Sequence, residues 1–350
     1  MRVLICPDRM GPLSSAEAGR ALAAGWPGAE LRPVGEAGRG FAEATADGWG
    51  DTLQGAVWDG LPVEWAVRGA DAVLAVSGVG GAAVEGSPIP YGSGSLLLGR
   101  AIATILTEHR PRQLVVDLAG IDVHDAGAGL LAGLGARSSG ADLTTGVAGL
   151  TGLTAVDLGP VRELLGGVEL IGVVPTPERD AVLLGLRGIT SRRGRAAGED
   201  PAPLLAADSA LQRLTELVAP GPASAPGAGA CGGLGWVVLA LGGRLATGPE
   251  LGLADVTAGV DLLVSGCGVF DFATRGGGVV AAAADVAAAH LAPCVIIAGE
   301  VLIGGREMRT MGIEAAYPIR ASTLDVPTGG DLTAAEVAQA AVRVARSWRW

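Results

Sequence analysis

Three aspartates stand beside the ends of predicted strands, where α/β proteins collect their reactive groups. Asp8 follows the first strand, Asp125 opens a helix after a later strand, and Asp271 follows a glycine-containing turn. Because the carboxyl ends of parallel strands meet at one edge of a sheet, these side chains are candidates for a shared site. A carboxylate there can bind Mg²⁺ or accept a proton from a substrate hydroxyl. For Asp125, a purely structural role as a helix N-cap is the alternative.

Glycine-rich segments are the second chemical signal. Four of them lie between a strand and a helix or directly before a helix, at residues 90–94, 119–129, 227–235 and 265–268. Glycine lets the backbone approach a phosphate closely, and the N-terminus of a following helix favours negative charge. None of the four has the Walker pattern or the dinucleotide-binding pattern. With 58 glycines among 350 residues, a plain tight turn is the alternative interpretation of each segment.

The chain contains no lysine and no asparagine. Proteins that transfer phosphoryl groups commonly place a lysine beside the transferring group. In this chain a positive contact must therefore come from arginine, from a backbone N–H or from a bound metal ion. A GC-rich genome, which replaces lysine by arginine, is the alternative explanation of the composition.

Several classes of function are disfavoured by composition and motif. The net charge of −11 argues against a nucleic-acid or anionic-membrane partner. His124 stands beside Asp125, but no G-x-S-x-G elbow supplies the serine of a hydrolase triad. The four cysteines are far apart and fit buried thiols in a reducing compartment better than metal ligands. No signal-peptide pattern opens the chain and no apolar run is long enough to span a membrane, so we expect a cytoplasmic protein.

The two ends of the chain alternate strands and helices, which is typical of a parallel α/β sheet. Capping boxes of the S/T-x-x-E type begin at Ser14 and at Thr333, and they predict helices that run to about residues 24 and 348. A further helix is predicted over residues 279–290. The predicted strands of these two ends are 3–6, 30–34, 261–265, 294–298 and 315–319.

The middle of the chain differs because it begins with a predicted hairpin. The hairpin turns at Asp59-Gly60, a dipeptide that favours a type I′ turn, and Trp58 and Trp65 are expected to pack across its strands. Residues 187–201 are polar and Arg-rich without an apolar period, so we predict an exposed loop there. The remaining predictions are strands at 71–77 and 113–118, helices at 93–107, 125–134, 205–218 and 234–241, and a linker at 219–228.

These segments, in this order, resemble the bacterial glycerate kinase family, and the resemblance covers nearly the whole chain. It begins at residues 7–14 and continues at residues 91–96 (YGSGSL). Residues 229–235 (GACGGLG) are similar to the family's G-A-A-G-G-L-G, and residues 125–136 to its N-D-G-G-A-G motif with the following helix. Residues 261–271 (DLLVSGCGVFD) are similar to D-L-V-I-T-G-E-G-R-I-D.

The departures from the family pattern fall on charged and polar positions. Residues 8–14 are one residue shorter than the family's P-D-S-F-K-G-S-L-S segment and lack its lysine. Arg39 stands where A-D-G-G-E-G has its glutamate, Cys267 and Val269 replace the glutamate and arginine of T-G-E-G-R-I-D, and Gly278 replaces the lysine of R-G-K-A-P. Each preorganised contact of this kind contributes about 3–4 kcal/mol to a transition state, so several losses together could silence a reaction.

The resemblance implies an α/β fold of two domains. Residues 1–45 and 241–350 would form a discontinuous Rossmann-like domain with a parallel sheet. Residues 46–240 would form an inserted, mixed α+β domain. A chain of 350 residues is long enough for two cores, because single cores stop growing at roughly 250–300 residues.

For function, the resemblance leaves two hypotheses. In the first, the chain transfers a phosphoryl group from ATP, with Mg²⁺, to glycerate or a similar small hydroxy acid, and Asp8, Asp125 and Asp271 are its catalytic carboxylates. In the second, the chain is a catalytically degenerate relative that binds a small anion or a partner protein. A homodimer is compatible with either. The residues expected to bind substrate or phosphate are Ser14, Arg39, Gly92, Ser93, Gly94, Gly120, His124, Gly229, Gly232, Gly233, Gly235, Gly266, Gly268 and Arg275.

Overall fold

Two large sheets organise the chain in the computed structural model, which describes residues 1–38, 40–77, 86–257, 259–320 and 331–348. The strands are β1 (Val3–Ile5), β2 (Glu30–Leu31), β3 (Gln54–Trp58), β4 (Leu61–Arg68), β5 (Asp71–Val76), β6 (Gln113–Asp117), β7 (Arg137–Ser139), β8 (Ala155–Asp157), β9 (Glu169–Val173), β10 (Arg244–Ala246), β11 (Leu262–Asp271), β12 (Cys294–Leu302) and β13 (Ala315–Pro318). The helices are α1 (Ser15–Leu22), α2 (Phe41–Trp49), α3 (Leu96–His109), α4 (Ala128–Gly133), α5 (Gly159–Leu165), α6 (Ile189–Ala197), α7 (Pro201–Val218), α8 (Ala230–Ala240), α9 (Gly248–Leu253), α10 (Gly277–Ala289), α11 (Gly305–Thr310) and α12 (Ala334–Ala345).

The chain divides into two structural units. The first consists of Met1–Thr52 and Gly248–Trp350, and the second of Leu53–Thr247. The second unit is thus a continuous stretch that interrupts the first, with chain crossings a few residues beyond the positions 45 and 240 expected from the sequence.

A five-stranded parallel sheet, in the order β13-β12-β11-β1-β2, forms the first unit. Successive side chains of a strand point to opposite faces. In β1, Val3 and Ile5 accordingly join the core beneath α1 and α12, whereas Leu4, together with Cys6 directly after the strand, joins the core beneath α10. Apolar layers on both faces explain why β1 is a continuous apolar run, and the parallel order of the strands confirms the predicted α/β fold with a parallel sheet.

Strand β11 is longer than the sequence predicts. The turn expected at residues 265–268 lies inside the strand, because β11 stays paired with β12 from Leu263 opposite Cys294 to Asp271 opposite Leu302. Gly266 is required there for packing, since a Cβ atom would stand 2.8 Å from the carbonyl oxygen of Ile297. Gly266 therefore serves a crowded strand, and the predicted turn is wrong.

The second unit contains a six-stranded mixed sheet in the order β10-β9-β6-β5-β4-β3, and a small antiparallel pair, β7 with β8. Strands β3, β4 and β5 are antiparallel and the others parallel. The hairpin prediction is confirmed, because Asp59 (φ 50°) and Gly60 (φ 84°) have the left-handed backbone of a type I′ turn. The rings of Trp58 and Trp65 lie 4.8 Å apart, centroid to centroid.

The exposed loop predicted over residues 187–201 is wrong, because most of it is helix α6. The polar composition hides two buried positions, Thr190 and Gly194. A Cβ atom on Gly194 would collide with the side chain of Leu204, which shows how closely α6 lies against α7. Instead of an apolar stripe, tertiary contacts of polar side chains, described below, stabilise this helix.

Both predicted capping boxes are present. Ser14 Oγ accepts a bond from Glu17 N at 3.2 Å and Glu17 Oε2 accepts from Ser14 N at 2.9 Å. Thr333 and Glu336 make the same reciprocal pair at the start of α12. By contrast, the helix predicted to open at residue 125 begins at Ala128. Of the helices in the described residues, none is long and apolar enough to cross a membrane.

Candidate active site

Asp8 is half-buried in the first unit, directly after β1. Its backbone N–H donates to the carbonyl oxygen of Gly266 at 2.8 Å, and its Oδ1 accepts from Arg9 N at 2.7 Å. Its Oδ2 lies beside the start of helix α10, since a Cβ atom built on Gly277 would stand 3.8 Å from it. The N-terminus of a helix favours negative charge, so this position suits a carboxylate.

Asp271 ends β11, on the strand that adjoins β1. Its Oδ1 accepts two bonds of 2.7 Å, from the N–H and the hydroxyl of Thr274, and these bonds lower the pKa of the carboxyl group. Burial, followed by the negative charges of Asp8 and Asp271, raises the pKa of Cys267 to about 12. Both predicted carboxylates thus act on one thiol, which is neutral at pH 7.

The start of helix α10 has an unusual backbone. Arg275, Gly276 and Gly277 have φ angles of 51°, 77° and 87°, three left-handed residues in a row. The exposed guanidinium of Arg275 lies 6.0 Å from the centre of the Phe272 ring. Arg275 thus carries a positive charge on an exposed turn, four residues after Asp271 in the sequence.

The other predicted residues of the first unit have different surroundings. Ser14 is 7% exposed and its hydroxyl caps α1, so its role is structural. Gly266 packs within the sheet, whereas a Cβ on Gly268 would make only an ordinary contact, 3.7 Å from Gly11 N. Arg39 lies outside the described residues.

In the second unit, Gly92 and Ser93 form the exposed tip of a turn between residues 90 and 94. Ser93 N donates to the carbonyl oxygen of Pro90 at 3.0 Å, which closes the turn. Gly94 lies at its base, where a Cβ atom would stand 2.8 Å from the carbonyl oxygen of Thr144. The turn therefore combines an accessible tip with a tightly packed base.

Asp125, predicted as catalytic, is fully buried and its carboxylate is saturated with hydrogen bonds. Oδ2 accepts from Ser95 N at 2.8 Å and from Gly129 N at 3.0 Å, and Oδ1 accepts from Gly127 N at 3.0 Å. The hydroxyl of Ser95 donates to the carboxylate and accepts from Leu130 N at 2.8 Å. Asp125 thereby joins the first turns of α3 and α4, which favours the structural alternative over a catalytic role.

His124 is also a core residue, with 1% of its surface exposed. Its Nε2 lies 2.9 Å from the hydroxyl of Thr190 in α6. Burial, with a smaller contribution from Arg193, lowers the pKa of His124 to about 4. A neutral, enclosed imidazole is poorly suited to the phosphate contact that the sequence suggested for it.

The pKa of His124 predicts a pH-dependent stability. The folded chain binds this proton less readily than the unfolded chain, whose histidine titrates near 6.5, so stability falls as the pH drops from 6.5 towards 4. Between pH 7 and pH 5 we expect His124 to contribute a loss of about 2 kcal/mol. Urea unfolding at both values measures it. His124→Gln should remove this component, whereas His109→Gln, at an exposed position of α3, should retain it. An unchanged pH dependence in His124→Gln would contradict the assignment.

The predicted phosphate-binding glycines of residues 120 and 229–235 are sites of close backbone packing. A Cβ atom on any of them would come within 3.0 Å of a neighbouring atom. At Gly232, for example, it would collide with the carbonyl oxygen of Val123, and the residue has φ 68°. The N–H of Cys231 donates to Glu178 Oε2 at 2.7 Å, so this amide already faces a carboxylate of the chain. The glycines affected are Gly120, Gly229, Gly232, Gly233 and Gly235.

Comparison with known proteins gives the same assignment from nearly the full length. Residues 3–349 match the pattern described as the Glycerate kinase family. The chain belongs to the glycerate kinase family. An uncharacterized protein of Mycobacterium tuberculosis (strain CDC 1551 / Oshkosh) is 30% identical over 345 residues, which cover 91% of this chain and 84% of that protein. A glycerate kinase of Bacillus subtilis (strain 168) is 26% identical, with 91% and 90% of the two chains covered.

A solved structure supports the fold of this glycerate kinase family member. A protein from Salmonella typhimurium LT2, assigned as glycerate kinase 2, superimposes with a TM-score of 0.76 at 22% identity, and the match covers 99% of this chain and 98% of the other. At this level of identity the likeness concerns the fold alone.

The substitutions at the family's charged positions cluster in the first unit. Cys267 Sγ donates to the carbonyl oxygen of Val269 at 3.3 Å, so two positions that carry opposite charges in the family pattern are neutral neighbours here. Val269 is 43% exposed. Gly278 lies in the first turn of α10. Cys267, Val269 and Gly278 therefore carry no charge in this chain.

Proposed function

We propose that this chain is a phosphotransferase that uses ATP and Mg²⁺ to phosphorylate glycerate or a similar small hydroxy acid. The observation that carries the proposal is the position of Asp8, whose carboxylate lies beside the glycine-rich start of helix α10. A proton acceptor is thereby adjacent to the N-terminus of α10, a helix of thirteen residues. The N-terminus of a helix favours the binding of a phosphate group. Membership of the glycerate kinase family supports the same chemistry.

In this reaction Asp8 would accept the proton of the substrate hydroxyl as its oxygen forms a bond to the γ-phosphorus. The bond from phosphorus to the bridging oxygen breaks at the same centre, and ADP leaves with that oxygen. The backbone N–H groups at the start of α10 and the guanidinium of Arg275 would stabilise the charge on the transferring group. Because the chain has no lysine, arginine side chains and backbone N–H groups would have to stabilise the negative charge of the transferring phosphoryl group.

Mg²⁺ fits this site in one particular way. Among the described residues, no three side chains of the metal-binding types come together. Mg²⁺ commonly binds through one or two carboxylates together with the phosphates of its substrate and several waters. Asp8 and Asp271 suit that mode, since both of their charges act on Cys267. When bound, the ion would neutralise phosphate charge.

The first test is a coupled assay of glycerate-dependent ADP formation at saturating Mg·ATP. It is run beside thermal shifts with Mg·ATP and with glycerate separately. Turnover that requires both substrates supports the proposal, and the absence of turnover at saturation rejects it.

A second candidate function is a small-anion binder without catalysis. It is favoured by the neutral thiol of Cys267 and the exposed side chain of Val269, which occupy charged positions of the family pattern. In the same experiment, a thermal shift with Mg·ATP or glycerate in the absence of turnover supports this candidate. Neither shift nor turnover rejects both.

A further inference from the structure

Arg193 is the most highly connected charged side chain of helix α6, and 14% of its side chain is exposed. Its guanidinium makes a two-pronged pair with Asp122, at 2.6 Å to Oδ1 and 2.8 Å to Oδ2. The same group donates to the carbonyl oxygen of Ser87 at 3.1 Å, to the Ser87 hydroxyl at 2.9 Å and to the carbonyl oxygen of Pro88 at 2.7 Å. One side chain thus joins two segments that are distant in sequence.

One segment leads into the turn predicted to bind the ligand, and the other leads into buried residues of the same unit. Ser87 and Pro88 precede the turn with Gly92 and Ser93 at its tip, and Asp122 lies between Gly120 and His124. The planar guanidinium satisfies all these acceptors at once because its donors are fixed in a fork. Lysine presents a single compact ammonium and cannot reproduce that geometry.

Two further residues of the same helical region hold the same two segments. Near its start, Thr190 bonds His124 at 2.9 Å. Just beyond its end, Glu199 accepts from Ile89 N and from the Tyr91 hydroxyl, at 2.6 Å each. Burial, reinforced by Glu199, raises the pKa of Tyr91 to about 12, so the phenol remains a donor at neutral pH.

The consequence is a turn whose entry is fixed while its tip stays accessible. Gly92 and Ser93 are exposed, and the base of the turn packs closely, with Ala148 N donating to the carbonyl oxygen of Tyr91 at 3.0 Å. A turn that is already ordered does not have to be ordered by its ligand, and the apparent affinity rises accordingly.

We infer that Arg193 is a positioning residue, which ties the entry of the Tyr91–Gly94 turn to the buried Gly120–Asp125 segment and so holds the exposed tip of that turn ready to bind an anionic ligand. The inference rests on the proposed function for the identity of that ligand, Mg·ATP or glycerate. Arg193 acts through these segments and does not itself have to touch the ligand.

The test compares Arg193→Ala and Arg193→Lys with Arg192→Ala, a matched control because Arg192 is an exposed arginine of the same helix. Hydrogen–deuterium exchange is measured over residues 86–95 and 119–125, and the dissociation constants and KM values for Mg·ATP and glycerate are measured in parallel. In Arg193→Ala we expect faster exchange in both segments, and a KM or Kd for at least one ligand raised by about tenfold. We expect kcat to change less than about threefold, because Arg193 does not itself take part in the chemical step.

Arg193→Lys separates positioning from general stability. It keeps a positive charge opposite Asp122, so we expect its thermal stability to stay close to that of the unaltered chain while its KM or Kd remains raised. Exchange or affinities in Arg193→Ala that match Arg192→Ala would overturn the inference. Faster exchange with unchanged affinities would overturn it as well, since Arg193 would then be structural only.

The two proposals fail in different ways. If the unaltered chain binds Mg·ATP or glycerate without turnover, the phosphotransferase proposal fails and the Kd values still decide the role of Arg193. If the chain turns over and Arg193→Ala keeps its KM and Kd values, only the present inference fails. If the unaltered chain binds neither ligand, both are rejected.

Discussion

Replacing Asp125 by alanine is expected to lower the free energy of unfolding by about 3–5 kcal/mol, the largest stability effect that we predict for this chain. The substitution leaves the N–H groups of Ser95, Gly127 and Gly129 buried without the carboxylate that accepts from them. Each buried donor without a partner costs about 1–3 kcal/mol. Relief of the burial of the carboxylate itself, which raises the pKa of Asp125, offsets part of the loss.

Urea unfolding monitored by circular dichroism measures this effect, and Asp157→Ala is its matched control. Asp157 Oδ1 accepts from Gly159 N at 2.9 Å, the same bond to the second following residue, but in an exposed setting. We expect the control to lose less than about 1 kcal/mol, as surface substitutions usually do. A loss in Asp125→Ala no larger than that of the control would contradict the proposed double capping of α3 and α4.

The second large effect is catalytic. Asp8→Asn should lower kcat/KM for phosphoryl transfer by about 10²–10³ with little change in melting temperature, because the amide keeps the shape of the side chain but accepts a proton poorly. The carbonyl oxygen of asparagine can still accept the bond from Arg9 N that Oδ1 accepts at 2.7 Å. The coupled ADP assay and a thermal melt of the same preparations measure the two quantities.

A control for Asp8→Asn must remove the same charge elsewhere in the first unit. Asp285 is exposed on helix α10, whose N-terminus adjoins Asp8, so Asp285→Asn matches the change in charge without touching the start of the helix. We expect its kcat/KM to stay within about twofold of the unaltered chain, since exposed charges at this distance are largely screened. Equal activities of the two variants would remove Asp8 from the mechanism.

The sequence predicted correctly those elements that depend on a few neighbouring residues. The capping boxes at Ser14 and Thr333 and the hairpin at Asp59-Gly60 depend on residues three or fewer positions apart, and all three are present. The starts of β1 and β12 were equally clear, because central strands of a sheet covered on both faces need unbroken apolar runs. The strand predicted over residues 30–34 is shorter, since β2 pairs only at Glu30 and Leu31. Sequence reasoning was wrong about α6, whose helix is held by long-range bonds from Arg193 and Glu199.

For the candidate site as well, sequence reasoning succeeded where neighbouring residues decide the outcome and failed where burial decides it. Motif position correctly brought Asp8 and Asp271 to adjacent strands, but the same motif logic grouped Asp125 with them, and burial separates the two cases. Sequence alone does not report that an aspartate meets three backbone N–H groups instead of solvent. Similarly, a glycine that approaches a phosphate and one that approaches another backbone, such as Gly232, have the same sequence signature. The one available hint for α6 was the i, i+3 spacing of Thr190 and Arg193.

The position of β1 has a consequence for how the polypeptide is made. Its neighbours are β2, only two residues long, and β11, and Cys6 accepts a bond from Ser265, 259 residues later in the chain. At a synthesis rate of about 5–20 residues per second, β1 leaves the ribosome some ~13–50 seconds before its main partner exists. The second unit is continuous and can complete its sheet in that interval. The newly made strand must therefore wait for β11, and for the helix α10 that covers its other face, until about three quarters of the chain has been translated.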